Sequence, residues 1–415
     1  MTFDWQWLVS ADASDIIAAV ETESDPLRAV STLRKLFPQV RPENLAQAVT
    51  QATLRKALAE RTGLESSTFL LTQSGLEQST HPVISDFRAG WITERYGKNL
   101  HIIDLTCGLG FDAIAFAQHG HRVTAFDIDQ TTAEFARHNT QGSLIDVIHG
   151  DSTTALLPRD ADLIFADPAR RSSDNVRSVD GKSLRIFNPE QWSPKWSFLH
   201  TFKIPVVAKV APGIQDDVLG NWSAQWISLN GSLAETMAIS DNRAERHAVL
   251  LDAHSKSKQI VAGGTKTMVA PLGNYLVIPD PALIRARALD ALAIPIQGGL
   301  VNEHIAWLTT DDGDAAIALA SQVPSPCRVL RILEKLPFNE RDVARAMKVH
   351  PCSGLTIMTR GVEVNVEQFR KKVLKQTERH APELVLAIYR SEPRNVALLC
   401  ERVSGDNLSD GHRGI

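Results

Sequence analysis

Residues 101–113 read HIIDLTCGLGFDA, and this stretch decides the fold. Its first half is a short apolar run ending in Asp104, the pattern of a buried strand. Gly108 and Gly110 follow at once, and glycine lets a chain turn sharply and bring its backbone close to a ligand. From Phe111 the pattern becomes helical, so the turn would present the free N–H groups of a helix N-terminus. Asp127 ends the next predicted strand, 19 residues beyond Gly108, where a carboxylate accepts hydrogen bonds from ribose hydroxyls. A cofactor containing adenosine satisfies both features.

Working outward, short apolar runs alternate with helical patterns from about residue 100 to 253, as in βαβ units around a parallel sheet. The expected strands are HIIDLT, RVTAFDID, DVIHGD, DLIFADP and IPVVAKVA. Two further runs, AQWISLN and RHAVLLDA, leave little room for a helix between them, so they are expected to pair as an antiparallel hairpin at the sheet edge. Residues before about 95 show helical spacing. DPLRAVSTLRKLFP reads as one helix capped by Asp25 with Pro26 at its first position, and a second helix runs from Pro42 to a stop at Gly63. The Gly-, Lys- and Ser-rich stretch 255–267 is a boundary candidate. Beyond it YLVIPD, helix PALIRARALDALA, CRVLRILEKLP, GLTIMTRGVEV, helix NVEQFRKKVLKQ and ELVLAIYR read as α+β material in two lobes.

The residues leave two adenosine cofactors open. Gly108, Gly110 and Ala113 also satisfy the dinucleotide pattern GxGxxA, but Asp112 would place a like charge near a diphosphate at the helix N-terminus. A sulfonium amino acid tolerates carboxylates, and Asp104 can approach its ammonium group.

Four ordered segments, DLTCGLG, AFDID, HGDS and FADPARR, resemble the motifs of the class I S-adenosylmethionine-dependent methyltransferases. The resemblance implies an α/β, Rossmann-like core whose seven-stranded sheet ends in a reversed hairpin. It also implies S-adenosylmethionine as cofactor. On the matching positions, Asp104, Thr106, Cys107, Gly108 and Gly110 would surround the methionine moiety, Asp127 would meet the ribose, Asp151 with Ser152 would lie beside the adenine, and Asp112 and Ile128 would also bind the cofactor. Asp167, Pro168, Arg170 and Arg171 would form the catalytic floor facing the acceptor. FLLTQSGLEQSTHP, DPARR, NYLVIPDPALIRARA and GLTIMTRGVEVNVEQFRKK extend the resemblance over nearly the whole chain, to bacterial RNA methylases with a helical N-terminal region, a ferredoxin-like piece and a THUMP-like C-terminus. The implied organisation is a helical region over 1–95, the methyltransferase core over 96–255, a ferredoxin-like lobe over 256–327 and a THUMP-like domain over 328–415.

The acceptor is less sharply encoded. Exocyclic-amine methyltransferases carry an aromatic after their Asn/Asp-Pro-Pro, whereas Ala169 and Arg170 stand here. Uracil-C5 enzymes share a DPxR strand end but need a cysteine after the fifth strand, and VVAKVAPG supplies none, so direct in-line transfer is expected. Residues 328–379 hold twelve Lys or Arg and six Asp or Glu, an excess of six positive charges in a chain whose net charge is −4. Arg370, Lys371, Lys372, Lys375 and Arg379 therefore make RNA the expected partner.

Several residues have plainer readings. Asp129 is expected to cap the helix QTTAEFARHN, Lys209 to pair with a buried carboxylate, His81 to be a loop residue, and Trp192, Trp196, Trp222 and Trp226 to pack rather than stack on bases. The 415 residues, 43% apolar and 22% charged, suit a globular chain of two or three domains. Four scattered cysteines form no disulfide framework and no metal site, which fits a reducing cytoplasm. The N-terminus lacks the basic and apolar runs of an export signal, and no uninterrupted apolar stretch is long enough to span a membrane. A non-catalytic RNA binder and a nicotinamide-dependent oxidoreductase are the competing classes.

Overall fold

The computed structural model describes residues 5–21, 32–64, 68–169, 188–375 and 377–403. Asp25 and Pro26 lie outside these residues. The chain forms two compact units, Met1–Ser223 with Met237–Ala244, and Ala224–Thr236 with Glu245–Ile415.

The first sheet contains β1 (His101–Asp104), β2 (Arg122–Asp127), β3 (Ile145–His149), β4 (Leu163–Ala166), β5 (Val206–Val210), β6 (Ser223–Leu229), β7 (Ser232–Ile239), β8 (Arg246–Leu251) and β9 (Ser257–Val261). Their order is β3-β2-β1-β4-β5-β7-β6-β8-β9. The five strands expected from HIIDLT to IPVVAKVA form β1 to β5, and the pairs β1/β2, β1/β4, β2/β3 and β4/β5 are parallel. Order reverses on either side of β1, opening the crevice at the strand ends where α/β proteins bind ligands.

The edge differs from the sequence expectation. β6 and β8 pair in parallel rather than as a hairpin. Ser232–Ile239 is itself a strand, and it joins β6 through Asn230 and Gly231, whose φ values of 50° and 77° are those of a two-residue hairpin turn. The Asn-Gly pair is the sequence signal for this turn. Thus the seven-strand arrangement is completed by β6 and β7, while β8 and β9 extend the sheet. β9 also places a strand inside the stretch expected to be a loop boundary.

In the first unit, the helix Pro42–Thr62 starts with proline at N1 and stops at Gly63 in the left-handed region, φ 71°, as its sequence predicts. Ile16, Ile17, Leu45, Leu58, Leu70, Leu71 and Leu76 share one core with Leu109 and Phe111 of the glycine turn. The N-terminal helices therefore bury their apolar faces directly against that turn. A Cβ on Gly75 would come within 2.7 Å of Leu109, so only glycine lets the helix Gln73–Gln78 sit this close.

The second unit contains β10 (Tyr275–Pro279), β11 (Gly299–Asn302), β12 (Ile305–Thr310), β13 (Cys327–Pro337), β14 (Gly354–Arg360), β15 (Glu383–Tyr389) and β16 (Val396–Arg402). They form one sheet in the order β11-β12-β10-β13-β16-β15-β14, so both C-terminal lobes are built on the same sheet and share β13. PALIRARALDALA is two helices, Pro281–Arg285 and Asp290–Ala293, because Arg287 adopts φ 57° between them. The helices Glu340–Val349 and Val366–Val373 bury Val343, Ala346, Phe369 and Val373 against strand residues including Leu355, Leu384 and Leu386.

Candidate active site

β1 delivers Asp104 to the crevice fully buried. Its Oδ1 accepts from the Thr106 N–H at 3.0 Å, while Oδ2 is buried with no partner among the described residues. Burial pushes the Asp104 carboxyl well above the usual carboxylate range. The Thr106 N–H opposes this, and the nearby charges of Asp112, Asp167 and Asp127 reinforce it. A dry carboxylate with an unused acceptor edge is suited to a cation arriving with its own donors.

Gly108 and Gly110 have φ 55° and 90°. A Cβ on Gly108 would meet nothing within 4 Å, so the space above the turn is open, whereas one on Gly110 would press on Thr140 Cγ2 at 3.0 Å. Cys107 is buried; its N–H donates to Phe126 O at 2.8 Å, and burial pushes its thiol well up, which makes it a poor nucleophile.

Asp127, at the end of β2, accepts from Gly108 N at 3.0 Å and from Asp129 N at 2.9 Å, one bond per oxygen. Each oxygen retains a lone pair for a ligand hydroxyl. Ile128 beside it is 67% exposed, an apolar surface at the crevice rim. Ser152 is buried and donates to Leu105 O at 2.9 Å, whereas Asp151 is exposed and closes its own turn on Thr153 N and Oγ1. Asp129 caps the helix Gln130–Asn139 through Thr132 N, as expected.

At the end of β4, Pro168 is buried and Asp167 half-buried. The Asp167 N–H donates to Thr106 Oγ1 at 2.6 Å, and Lys209 Nζ donates to Asp167 Oδ2 at 2.7 Å. Thr106 thus bonds to Asp104 through its N–H and to Asp167 through its hydroxyl, joining the glycine turn to the acceptor floor. Arg170 and Arg171 lie outside the described residues.

Asp112, expected to bind the cofactor, is tied to neighbouring side chains. Its Oδ2 accepts from Thr80 Oγ1 at 2.8 Å, and its Oδ1 is held by Arg88, whose guanidinium is fully buried over the Phe165 ring. Both oxygens are therefore engaged inside the protein. Arg88 neutralises the Asp112 charge, so Asp112 does not by itself repel a diphosphate at this helix N-terminus.

The expected pairing of Lys209 is present, and Thr80, Gln78 and Arg88 are the site residues that sequence reasoning missed. The usable signal was a lone lysine in the apolar strand VVAKVA, since a buried cation demands converging acceptors. Asn139, also missed, braces the turn by donating to Leu109 O and Leu70 O. His81 is an N-cap rather than a free loop residue, its Nδ1 accepting from Val83 N. The four tryptophans are buried, with Trp192 on Trp196 and Trp196 on Trp222, which is packing. In the basic C-terminal segment, Arg370 pairs with Glu367 and Lys372 with Glu340, while Lys371, Lys375 and Arg379 are exposed.

Residues 102–177 match the model of a methyltransferase domain, and residues 327–402 match that of a THUMP domain-like family. The chain carries a class I S-adenosylmethionine-dependent methyltransferase fold followed by a THUMP-like domain. An uncharacterized S-adenosylmethionine-dependent methyltransferase of Mycobacterium tuberculosis, present in two strains, is 27% identical over 322 residues, covering 74% of this chain and 81% of that protein. A crystal structure assigned to the methyltransferases, from Porphyromonas gingivalis, covers 97% of this chain and 100% of its own at 20% identity, with a TM-score of 0.72. That likeness is one of fold.

The methyltransferase cofactor fits the residues present. Asp104 Oδ2 offers the one unused buried acceptor at the turn among the described residues, Gly108 leaves open space, and Asp127 with Ile128 offers hydroxyl acceptors beside an apolar surface. No cluster of His, Cys, Asp or Glu suited to a metal is present among the described residues, and no helix there is long and apolar enough to cross a membrane.

Proposed function

We propose that this protein methylates a nucleotide in structured RNA by direct in-line transfer. The observation that carries the reading is the Thr106 bridge, which sets the unsatisfied carboxylate of Asp104 and the acceptor-side carboxylate of Asp167 on either side of one residue. S-adenosylmethionine, when bound, supplies an electrophilic methyl on a sulfonium that leaves as a neutral thioether.

The protein's own part is to hold and to orient. Asp104 would receive the methionine ammonium and Asp127 the ribose hydroxyls. Asp151 and Ser152 would border the adenine, Ser152 through its position rather than its engaged hydroxyl. Asp167 would accept a hydrogen bond from the acceptor group and take up the proton it loses. Holding the reacting atoms at about 3–3.5 Å supplies much of the acceleration for such a transfer. Covalent activation through Cys107 is disfavoured by its burial and raised thiol pKa.

RNA is favoured by the THUMP-like match and by the positive excess of residues 328–379, of which Lys371, Lys375 and Arg379 face solvent. In this reading, residues 1–95 cover the cofactor cleft, 96–255 perform the transfer, and the lobes 256–327 and 328–415 grip RNA phosphates. Four free, buried cysteines suit a reducing cytoplasm. Incubating the protein with methyl-labelled S-adenosylmethionine and total RNA from a strain lacking the gene should label RNA. Nucleoside mass spectrometry would then identify the product. Wild-type protein that binds RNA and transfers no label would instead mark a non-catalytic RNA binder.

A further inference from the structure

Lys209 lies in β5, whose five residues are all buried, and its side chain is 9% exposed. A cation so placed is costly unless every donor finds an acceptor. Its ammonium donates to Asp167 Oδ2 at 2.7 Å, Thr80 Oγ1 at 3.0 Å and the Gln78 carbonyl at 3.4 Å, which matches its three donors with three acceptors. The polarity of this set is determined by Thr80. Its single hydroxyl proton goes to Asp112 Oδ2, so only its lone pairs can face Lys209. Arg88 closes the other end of the series on Asp112. Arg88, Asp112, Thr80, Lys209 and Asp167 therefore form an ordered chain of alternating charge through one hydroxyl, anchored on residues 78–80 of the segment before the helix Pro82–Tyr96.

We propose that Lys209 is a positioning residue for the acceptor. With the Gln78 carbonyl and Thr80 it holds the Asp167 carboxylate turned, so that Oδ1 faces an acceptor that donates a hydrogen bond from nitrogen. This deepens the methyl-transfer reading and rests on it. The Asp167 backbone is already tied to Thr106, so the Lys209 bond removes the remaining side-chain freedom by occupying Oδ2. Among the described residues no donor reaches Oδ1, and a carboxylate edge selects an N–H donor over a carbon nucleophile. As the methyl–sulfur bond breaks and the methyl–nitrogen bond forms, the nitrogen gains the positive charge that sulfur loses. Its proton then passes to the Asp167 carboxylate. Among the described residues, the charged groups around Asp167 include Lys209 from β5, Asp104 from β1 and, through Thr80, the Asp112–Arg88 pair.

The test uses the full chain and two readouts. In the first, protein labelled at aspartate Cγ is observed by NMR at one fixed pH without cofactor or RNA, and the Asp167 resonance is identified by its loss in Asp167→Asn. Lys209→Met should replace the single wild-type resonance with a broadened or split one, because the carboxylate regains the rotamers that the Lys209 bond excludes. Lys209→Arg should restore a single sharp resonance. In the second, methyl transfer to total RNA from a strain lacking the gene should fall by about 100-fold in kcat for Lys209→Met. KM for S-adenosylmethionine should stay unchanged. Thr80→Val preserves the ion pair and frees its orientation, so it should lower kcat by less. That variant also serves if Lys209→Met does not fold.

A folded Lys209→Met protein whose Asp167 resonance keeps the position and width of wild type overturns the proposal and leaves Lys209 a structural ion pair. So does a Thr80→Val protein with unaltered kcat. Wild-type protein that labels no RNA defeats the RNA reading alone, and the NMR comparison then still decides the role of Lys209.

Discussion

Binding of the cofactor's methionine moiety should expel a proton from Asp104. Burial holds that carboxyl well above its ordinary value of 3.8, and Oδ2 has no donor of its own among the described residues. In the free protein Asp104 therefore keeps a proton to higher pH than an exposed carboxylate would. An incoming ammonium stabilises the ionised form, so binding and deprotonation are coupled. One proton released per ligand gives an affinity that rises about tenfold per pH unit below the raised Asp104 value, or about 1.4 kcal/mol per unit, and levels off above it. Stability of the ligand-free protein runs the opposite way. The raised folded pKa contributes stability that is complete below the unfolded value of 3.8 and is lost as pH climbs through the folded value. Calorimetric titration with S-adenosylhomocysteine, which carries the same ammonium, in two buffers of different ionisation enthalpy reads the proton count directly. Asp104→Asn should bind more weakly and show no pH dependence from this source. Wild-type affinity that stays flat as pH rises above the ordinary carboxylate range, with no proton release, would refute the reasoning.

Three further outcomes are expected. Asp127→Ala removes the acceptor for ribose hydroxyls and for Gly108 N, and should weaken cofactor binding by at least about tenfold at roughly 1.5–3 kcal/mol per charged hydrogen bond, as measured by calorimetry; unchanged affinity contradicts the ribose assignment. Arg88→Met strands Asp112 in a buried site and should cost about 3–5 kcal/mol in denaturant unfolding, with a loss under about 1 kcal/mol counting against the buried pair. The double variant Lys371→Glu, Lys375→Glu should reduce RNA retention and flatten its salt dependence while leaving cofactor affinity intact; equal retention would move the RNA surface elsewhere.

Local chemistry was legible where it is written within one turn or one strand. Asp104, the glycine pair and Asp127 were readable because strand, turn and ribose acid sit at spacings that backbone geometry imposes. Asp129 as a cap and Gly63 as a stop follow from hydrogen bonds spanning three or four residues. The β6–β7 connection is equally local, since Asn230-Gly231 favours the two-residue turn found there.

The sequence by itself determined the cofactor crevice, because a positive-φ turn between a buried strand and a helix needs only neighbouring residues to define it. Tertiary structure alone decided what the charges do. Asp112 meets Arg88 and Thr80 across 24 and 32 residues, and Lys209 meets Asp167 and Thr80 across 42 and 129. A buried charge must find a partner, but sequence spacing does not say which one. That choice is made when the N-terminal segment packs on the turn and brings the hydroxyl of Thr80 between two ion pairs.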